Sequence, residues 1–170
     1  MEARDTEVAI SLWKEKAEQF GRPPPMAEFS MADPFRDAFR FIIHADLAMS
    51  DDWFFLAYGR GFAKLLGLAE RSRMGKSMIQ HLPHRYRYLF LQGCGEAIAA
   101  AAPVRFDGEV AGLGGVELYR ACFMPLRMTM GTMQAIYGSF SFLFCTAAKL
   151  AERPASAGAG AGTAFPELLL

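Results

Sequence analysis

Over residues 5–20, Ala9, Leu12, Trp13, Ala17 and Phe20 recur at helical spacing, while Glu7, Lys14, Glu15 and Glu18 lie largely elsewhere. That spacing predicts an amphipathic helix with one apolar stripe. Gly21 suits the residue just past its end, and Pro23-Pro24-Pro25 forbids continuation and reads as a stiff extended connector. A helix set off in this way needs an apolar partner, either its own sheet or a second copy of the chain. After Asp33-Pro34, a short turn or helix start, the period changes to two. Phe39, Phe41, Ile43, Ala45 and Leu47 alternate with Arg40, Ile42, His44 and Asp46, predicting a strand over residues 38–49. Ser50-Asp51-Asp52 has hairpin chemistry, and residues 53–58 read as a second, aromatic strand.

Gly59 opens a short helix over 60–66, closed by Gly67; residues 71–76 form a polar loop and 77–82 a helical turn. Pro83 suits the first position of a longer helix running to about residue 102, rich in alanine and ended by Pro103. Residues 104–110, 116–128 and 133–146 are strand-like, with glycine-containing hairpin connectors between them. The expectation is an α+β fold: a five-stranded antiparallel sheet, helices from residues 59–102 on one face, and the N-terminal amphipathic helix in addition. The organisation read from these patterns is a helix and Pro-rich connector at 1–30, a domain at 31–150, and an Ala/Gly-rich linker with an apolar terminus at 151–170.

Composition narrows the function classes. Eighteen Lys and Arg balance eighteen Asp and Glu, so no global field draws in nucleic acid or an anionic membrane. Hydrophobic residues at 52% and aromatics at 13% predict a folded chain that builds its own core. Cys94, Cys122 and Cys145 are too few and scattered for a disulfide framework or zinc cage, and suit a reducing compartment. The most apolar stretch, residues 135–148, falls short of the roughly 20 residues that span a bilayer. With no secretory signal pattern, the expectation is a soluble cytoplasmic protein.

Two strands, a cluster of short helices with one longer helix, then three antiparallel strands is the layout of a PAS domain. Over residues 53–67 the sequence WFFLAYGRGFAKLLG resembles the strand-then-helix segment of short bacterial stand-alone PAS-like proteins. Gly75-Lys76-Ser77 with His81-Leu82-Pro83 resembles their entry into the long helix; Glu117-Leu118-Tyr119-Arg120 with Pro125-Leu126 resembles their penultimate strand, and Gly138 their last. The resemblance covers residues 31–148 and implies a sensory or regulatory module. Leu56 and Arg60 depart from the group, which often has a basic residue and a threonine there.

Catalytic signals are sparse. His81 and His84 have the spacing of two metal ligands on one helical face, but Pro83 between them favours capping or solvent-facing roles. His44 shares a strand face with Asp46 and reads as a surface or interface histidine. The resemblance raises haem, through His84 at the start of the long helix, and flavin, through a Phe90-Leu91-Gln92-Gly93-Cys94 run of scrambled order; both are disfavoured. Cys94 lacks a local base, and Arg85-Tyr86-Arg87-Tyr88 reads as a helix face with snorkelling arginines rather than a nucleic-acid platform.

Fifteen Phe and ten Met suit an adaptable apolar cavity as well as an ordinary core. Alternation and the PAS resemblance together place candidate ligand-lining residues Phe41, Ile43, Phe55, Phe62, Leu66, Met78, Leu89, Phe123 and Tyr137 between sheet and helices. The expected function is non-enzymatic: a sensory or regulatory module that binds a small molecule or a signalling-protein partner and responds by a change of shape or of dimer packing. The alternatives are a small enzyme using His44 or His81 as base, and a ligand-free scaffold. A homodimer through residues 8–20 is expected, with intramolecular docking of that helix as its alternative.

Overall fold

The computed structural model describes residues 2–29, 39–46, 52–68, 75–112, 114–129 and 133–146. The expected features at Asp33-Pro34, at the 50–51 end of the first hairpin, in the 71–74 loop and over 151–170 lie outside them. The elements run α1 (Glu2–Phe20), a 3₁₀ turn (Met26–Glu28), β1 (Arg40–Asp46), β2 (Phe54–Tyr58), α2 (Arg60–Leu66), β3 (Lys76–Ser77), α3 (Met78–His81), α4 (His84–Ala100), β4 (Val104–Gly112), β5 (Gly115–Arg127) and β6 (Met133–Thr146). The strands form one sheet in the order β3-β2-β1-β6-β5-β4, each pairing antiparallel. The expected five strands are therefore six. The extra one, β3, is only two residues long, too short for any periodicity to reveal.

Local chemistry explains the boundaries. Gly67 takes a left-handed conformation (φ 68°) that closes α2, as its position suggested. Ser77 belongs to β3 and its hydroxyl accepts the Gln80 amide, so it caps α3 rather than lying within a helical turn. Pro83 is the cap residue of α4, one place before the first-turn position expected of it. Its ring fixes φ at −51° while ψ stays extended at 135°, which holds the residue outside the helix.

Helices α2, α3 and α4 lie on one face of the sheet. Phe41, Ile43, Phe55, Ala121, Phe123, Ile136 and Phe140 point into that layer and meet Phe62, Met78, Leu89 and Phe90 from the helices. The intervening residues Ile42, Cys122, Met124, Leu126, Ala135 and Tyr137 point the other way and are just as buried. Their cover is α1, which lays Ala9, Trp13 and Ala17 on them and is followed by Phe29 beyond the prolines. The Trp13 indole N–H donates to the Pro125 carbonyl at 2.8 Å. At the helix start, the Asp5 carboxylate accepts from Arg40 Nε and the Phe39 amide, both at 2.8 Å. The Pro-rich connector is tied to the sheet as well, since the Arg127 amide donates to the Pro24 carbonyl at 2.9 Å.

The N-terminal helix thus does not stand apart from the domain body. Ala9, Trp13 and Ala17 of its apolar stripe are buried on its own sheet, the docking expected as the alternative to pairing of two chains, while Phe20 at its end stays exposed. Trp13 is the largest side chain in this layer and only 2% exposed. Trp13→Ala should lower unfolding stability by about 3–5 kcal/mol, from lost burial and the cavity left behind. Trp13→Phe keeps a ring but loses the bond to Pro125, and should cost about 1–2 kcal/mol. Urea denaturation of the two variants checks the order; equal, small losses would mean that α1 contributes little to the fold.

Candidate functional site

The sheet and helices bring together eight of the nine expected lining residues. Phe41, Ile43, Phe55, Phe62, Leu66, Met78, Leu89 and Phe123 share one buried cluster. Tyr137 does not join them. It pairs with Ile42 and Met124 on the opposite face and meets Phe29 at a tilt, ring centroids 4.8 Å apart, beneath the α1 layer. The reason is register: Gly138 is the residue opposite both Phe41 and Phe123, so Ile136 and Phe140 face inward and Tyr137 outward. Burial on that outer face pushes the Tyr137 hydroxyl up to about 12.

The inner cluster is a continuous set of ring contacts. Phe41 meets Phe62 at 5.0 Å, Phe90 at 5.2 Å and Phe123 at 5.9 Å between centroids, and Phe90 meets Phe123 at 5.2 Å and Phe140 at 5.3 Å. These separations are those of favourable edge and offset aromatic pairs. Two glycines admit the rings. A Cβ on Gly138 would lie 2.3 Å from Phe41 Cζ, and one on Gly93 in α4 would lie 2.2 Å from Phe123 Cδ2. Helix α4 therefore approaches the sheet through Gly93, with the Phe123 ring seated against its backbone.

At the β4–β5 hairpin end of this layer the chemistry changes. Tyr86, on the first turn of α4, is fully buried, and its hydroxyl donates to the Glu117 carboxylate in a short hydrogen bond. Arg85 reaches the same carboxylate from the solvent side, through Nε at 2.6 Å and Nη2 at 3.0 Å. Burial by itself would raise the Glu117 carboxyl, but the hydrogen bonds from Arg85 and Tyr86 outweigh it and hold the group below its usual 4.5. Burial and the adjoining carboxylate push the Tyr86 hydroxyl far up, so it remains a donor. The Arg85–Tyr86 pair is thus bound inward to β5, whereas Tyr88 is 62% exposed.

The other candidates find ordinary places. Cys94 lies in the aromatic layer, where burial raises its thiol well above the usual value and disfavours a nucleophile. Cys122 is under α1 and is pushed up to about 12, chiefly by burial. His81 is exposed, its Nδ1 2.8 Å from the Ser77 carbonyl, and His84 begins α4, so the two straddle a helix boundary. His44 projects from the sheet face opposite the aromatic interior, beside Phe54; burial lowers its pKa and its Nδ1 has no hydrogen-bond partner among the described residues. Among the described residues, no three His, Cys, Asp or Glu side chains are grouped as a metal site. No described helix is long and apolar enough to cross a membrane. Sequence reasoning missed Glu117 as a site residue, although its separation from Tyr119, Ala121 and Phe123 by even steps puts it on their face. Compared with known proteins, the chain matches no family model and no curated protein significantly.

Two consequences can be measured. Gly93→Ala should destabilise the protein by about 1–3 kcal/mol, because overpacking against Phe123 outweighs the helix-propensity gain of about 1 kcal/mol. In a Phe123→Leu background the same change should cost less, and additive losses would place the ring elsewhere. The lowered Glu117 pKa gives stability that is complete above the usual carboxyl value of 4.5 and lost as pH falls through the folded-state value. Glu117→Gln should therefore flatten the fall in the urea midpoint between about pH 5 and pH 3. Asp107, held low by Arg120 and Arg105 against the opposing effect of burial, titrates in the same window, and Asp107→Asn supplies the comparison. An unchanged slope in Glu117→Gln would show that the buried pair carries no acid sensitivity.

Proposed function

We propose that this protein is a non-enzymatic regulatory module of PAS-like architecture that engages a protein partner and passes a change of packing between the two faces of its sheet. The observation that carries this reading is the double burial of β1, β5 and β6. Phe41, Phe123 and Ile136 belong to the aromatic interior, while their chain neighbours Ile42, Met124 and Tyr137 support α1. A backbone displacement on these strands alters both layers at once, because side chains leave a strand alternately to its two sides. Close-packed layers respond to such displacement by repacking rather than by smooth deformation.

The order of two strands, three helices and three long strands supports the PAS resemblance, with β3 as a short addition at the edge. A small molecule entering the interior would displace rings that already touch one another, so a partner protein is the favoured input. A second copy of the chain would reach the Trp13 stripe only by taking α1 off its own sheet, which turns the expected homodimer into an exchange of helices. A cytoplasmic setting, with its reduced cysteines, accords with this role.

Phe41→Leu trims the inner layer without touching α1. Two-dimensional NMR of the full chain should then show amide shifts along α1, at Ala9, Trp13 and Ala17, in a protein that remains folded. Shifts confined to the inner layer and to α2 and α4 would overturn transmission through the sheet. Turnover of a substrate that is lost on substitution of His44 or His81 would instead favour the enzyme reading.

A further inference from the structure

Glu117 is a buried carboxylate at the β4–β5 hairpin end of the sheet–helix layer, 8% exposed. Its hydrogen-bonded neighbour Tyr86 lies nearly parallel to Phe142, with centroids 5.8 Å apart, and meets Tyr119 edge-on at 6.3 Å. Phe144 is the residue directly across the ladder from Glu117 and is 43% exposed. Glycines leave room here. A Cβ on Gly108 would lie 2.6 Å from the Tyr119 hydroxyl, and one on Gly115 would lie 2.2 Å from the Cys145 carbonyl oxygen and 2.9 Å from Phe144 Cζ. A carboxylate beside the Tyr86 ring offers an organic cation charge-assisted hydrogen bonds together with cation–π attraction.

The structure supplies one such cation from within. The Arg85 guanidinium forks onto Glu117 and stands 4.9 Å from the Tyr86 ring centroid. Its side chain is 40% exposed against 11% for that of Glu117, so it covers the carboxylate from the solvent side. Arg85 is also the second residue of α4, a 17-residue helix with no acidic side chain in its first turn. A positive charge there opposes the helix dipole, which favours anions at a helix start and cations at its end. The resident cation is therefore well placed for the carboxylate and poorly placed for its helix.

We infer that this corner is a guanidinium-binding site, at which an arginine side chain of a protein partner replaces Arg85 on Glu117. The site deepens the reading above by naming the partner's anchoring residue. An incoming arginine inherits the two hydrogen bonds and the Tyr86 face, and gains contact with the exposed Phe144. The released Arg85 swings into water, away from the helix start. The exchange conserves the charge on the buried carboxylate, so no uncompensated ion is left behind.

The test is titration of the full-length protein with N-acetyl-arginine amide, followed by NMR, with N-acetyl-citrulline amide as the neutral, nearly isosteric comparison. Saturable shifts at Tyr86, Glu117 and Phe144 are expected with arginine and not with citrulline. Arg85→Met removes the competitor and should tighten binding by about tenfold, whereas Glu117→Gln should abolish it. The wild-type titration needs no variant to fold, and Arg85→Lys serves as a second variant that keeps a cation near the site. The absence of saturation in the wild-type protein overturns the proposal, even if Arg85→Met binds, since Arg85 is then a fixed structural ion pair. Equal binding of citrulline overturns it too. Whether α1 responds is read separately in the same spectra, so failure of this site and failure of transmission through the sheet are distinguishable.

Discussion

Burial of the central strands on both faces is the constraint from which the other features of this fold follow. A strand with one wet face alternates apolar and polar residues, whereas one covered on both sides is apolar throughout. Strand β5 runs Ala121, Cys122, Phe123, Met124, Pro125 and Leu126, all buried, and β6 carries Ala135, Ile136 and Tyr137 in succession. The helices α2 to α4 cover one side. Without α1, Ile42, Met124 and Tyr137 would face water, so the N-terminal helix is an integral layer of the domain. Proline in a central strand lacks a ladder donor, and at Pro125 the carbonyl is taken by the indole of Trp13. The bond fixes the rotation of α1 about its axis, since the residue that makes it lies in the middle of the apolar stripe.

Charged groups mark where the two layers end. Asp5 and Arg40 close the outer layer at the start of α1, and Arg85 and Glu117 close the inner one at the start of α4. Both pairs are partly buried, and in each the hydrogen-bonding capacity of the carboxylate is used by more than one donor. That multiplicity is what makes a buried carboxylate tolerable, because the cost of removing it from water is offset only by well-formed bonds. The exposed pair of Arg105 with Glu7 is of another kind and adds little beyond orientation.

Much of this arrangement is legible along the chain, and the exceptions have definite causes. The stripe of α1, the bounds of α2 between two glycines and the late strands follow from spacing and turn chemistry, which act locally. The side of Tyr137 is not legible because its neighbours Ile136 and Ala135 are apolar too, so no alternation marks which of them faces in. The deciding contact is remote: Gly138 accommodates Phe41 from another strand. Glu117 was invisible as a buried group because its partners lie 31 and 32 residues away on a helix. For the same reason nothing local marks Tyr86, within the Arg85–Tyr88 run, as the residue that long-range pairing turns inward, while Arg85 and Tyr88 stay exposed.

The strength with which α1 is held bears on whether it can take part in regulation. A helix fixed by a large apolar area alone would respond to nothing short of unfolding. Among the described side chains of α1, Thr6, Ala9, Trp13 and Ala17 are fully covered, and all but Trp13 are small, with little apolar surface to bury. Val8 and Phe20 are left substantially exposed along the edges of the helix. The attachment therefore concentrates on Trp13, bonded to Pro125 level with Ile136, and on the Asp5–Arg40 pair, level with Ser139, two nearby points on the strands that also line the aromatic interior. Conformations separated by a few kcal/mol are those that a partner's differential affinity can exchange. A helix held mainly at two points lies nearer that range than one held along its whole length. The same strands that carry the Phe41 and Phe123 rings present both points, so a shift in strand twist or separation changes the distance between them. Coupling between the faces then requires no chain of intermediate side chains; it is a property of a strand whose alternate residues belong to different layers.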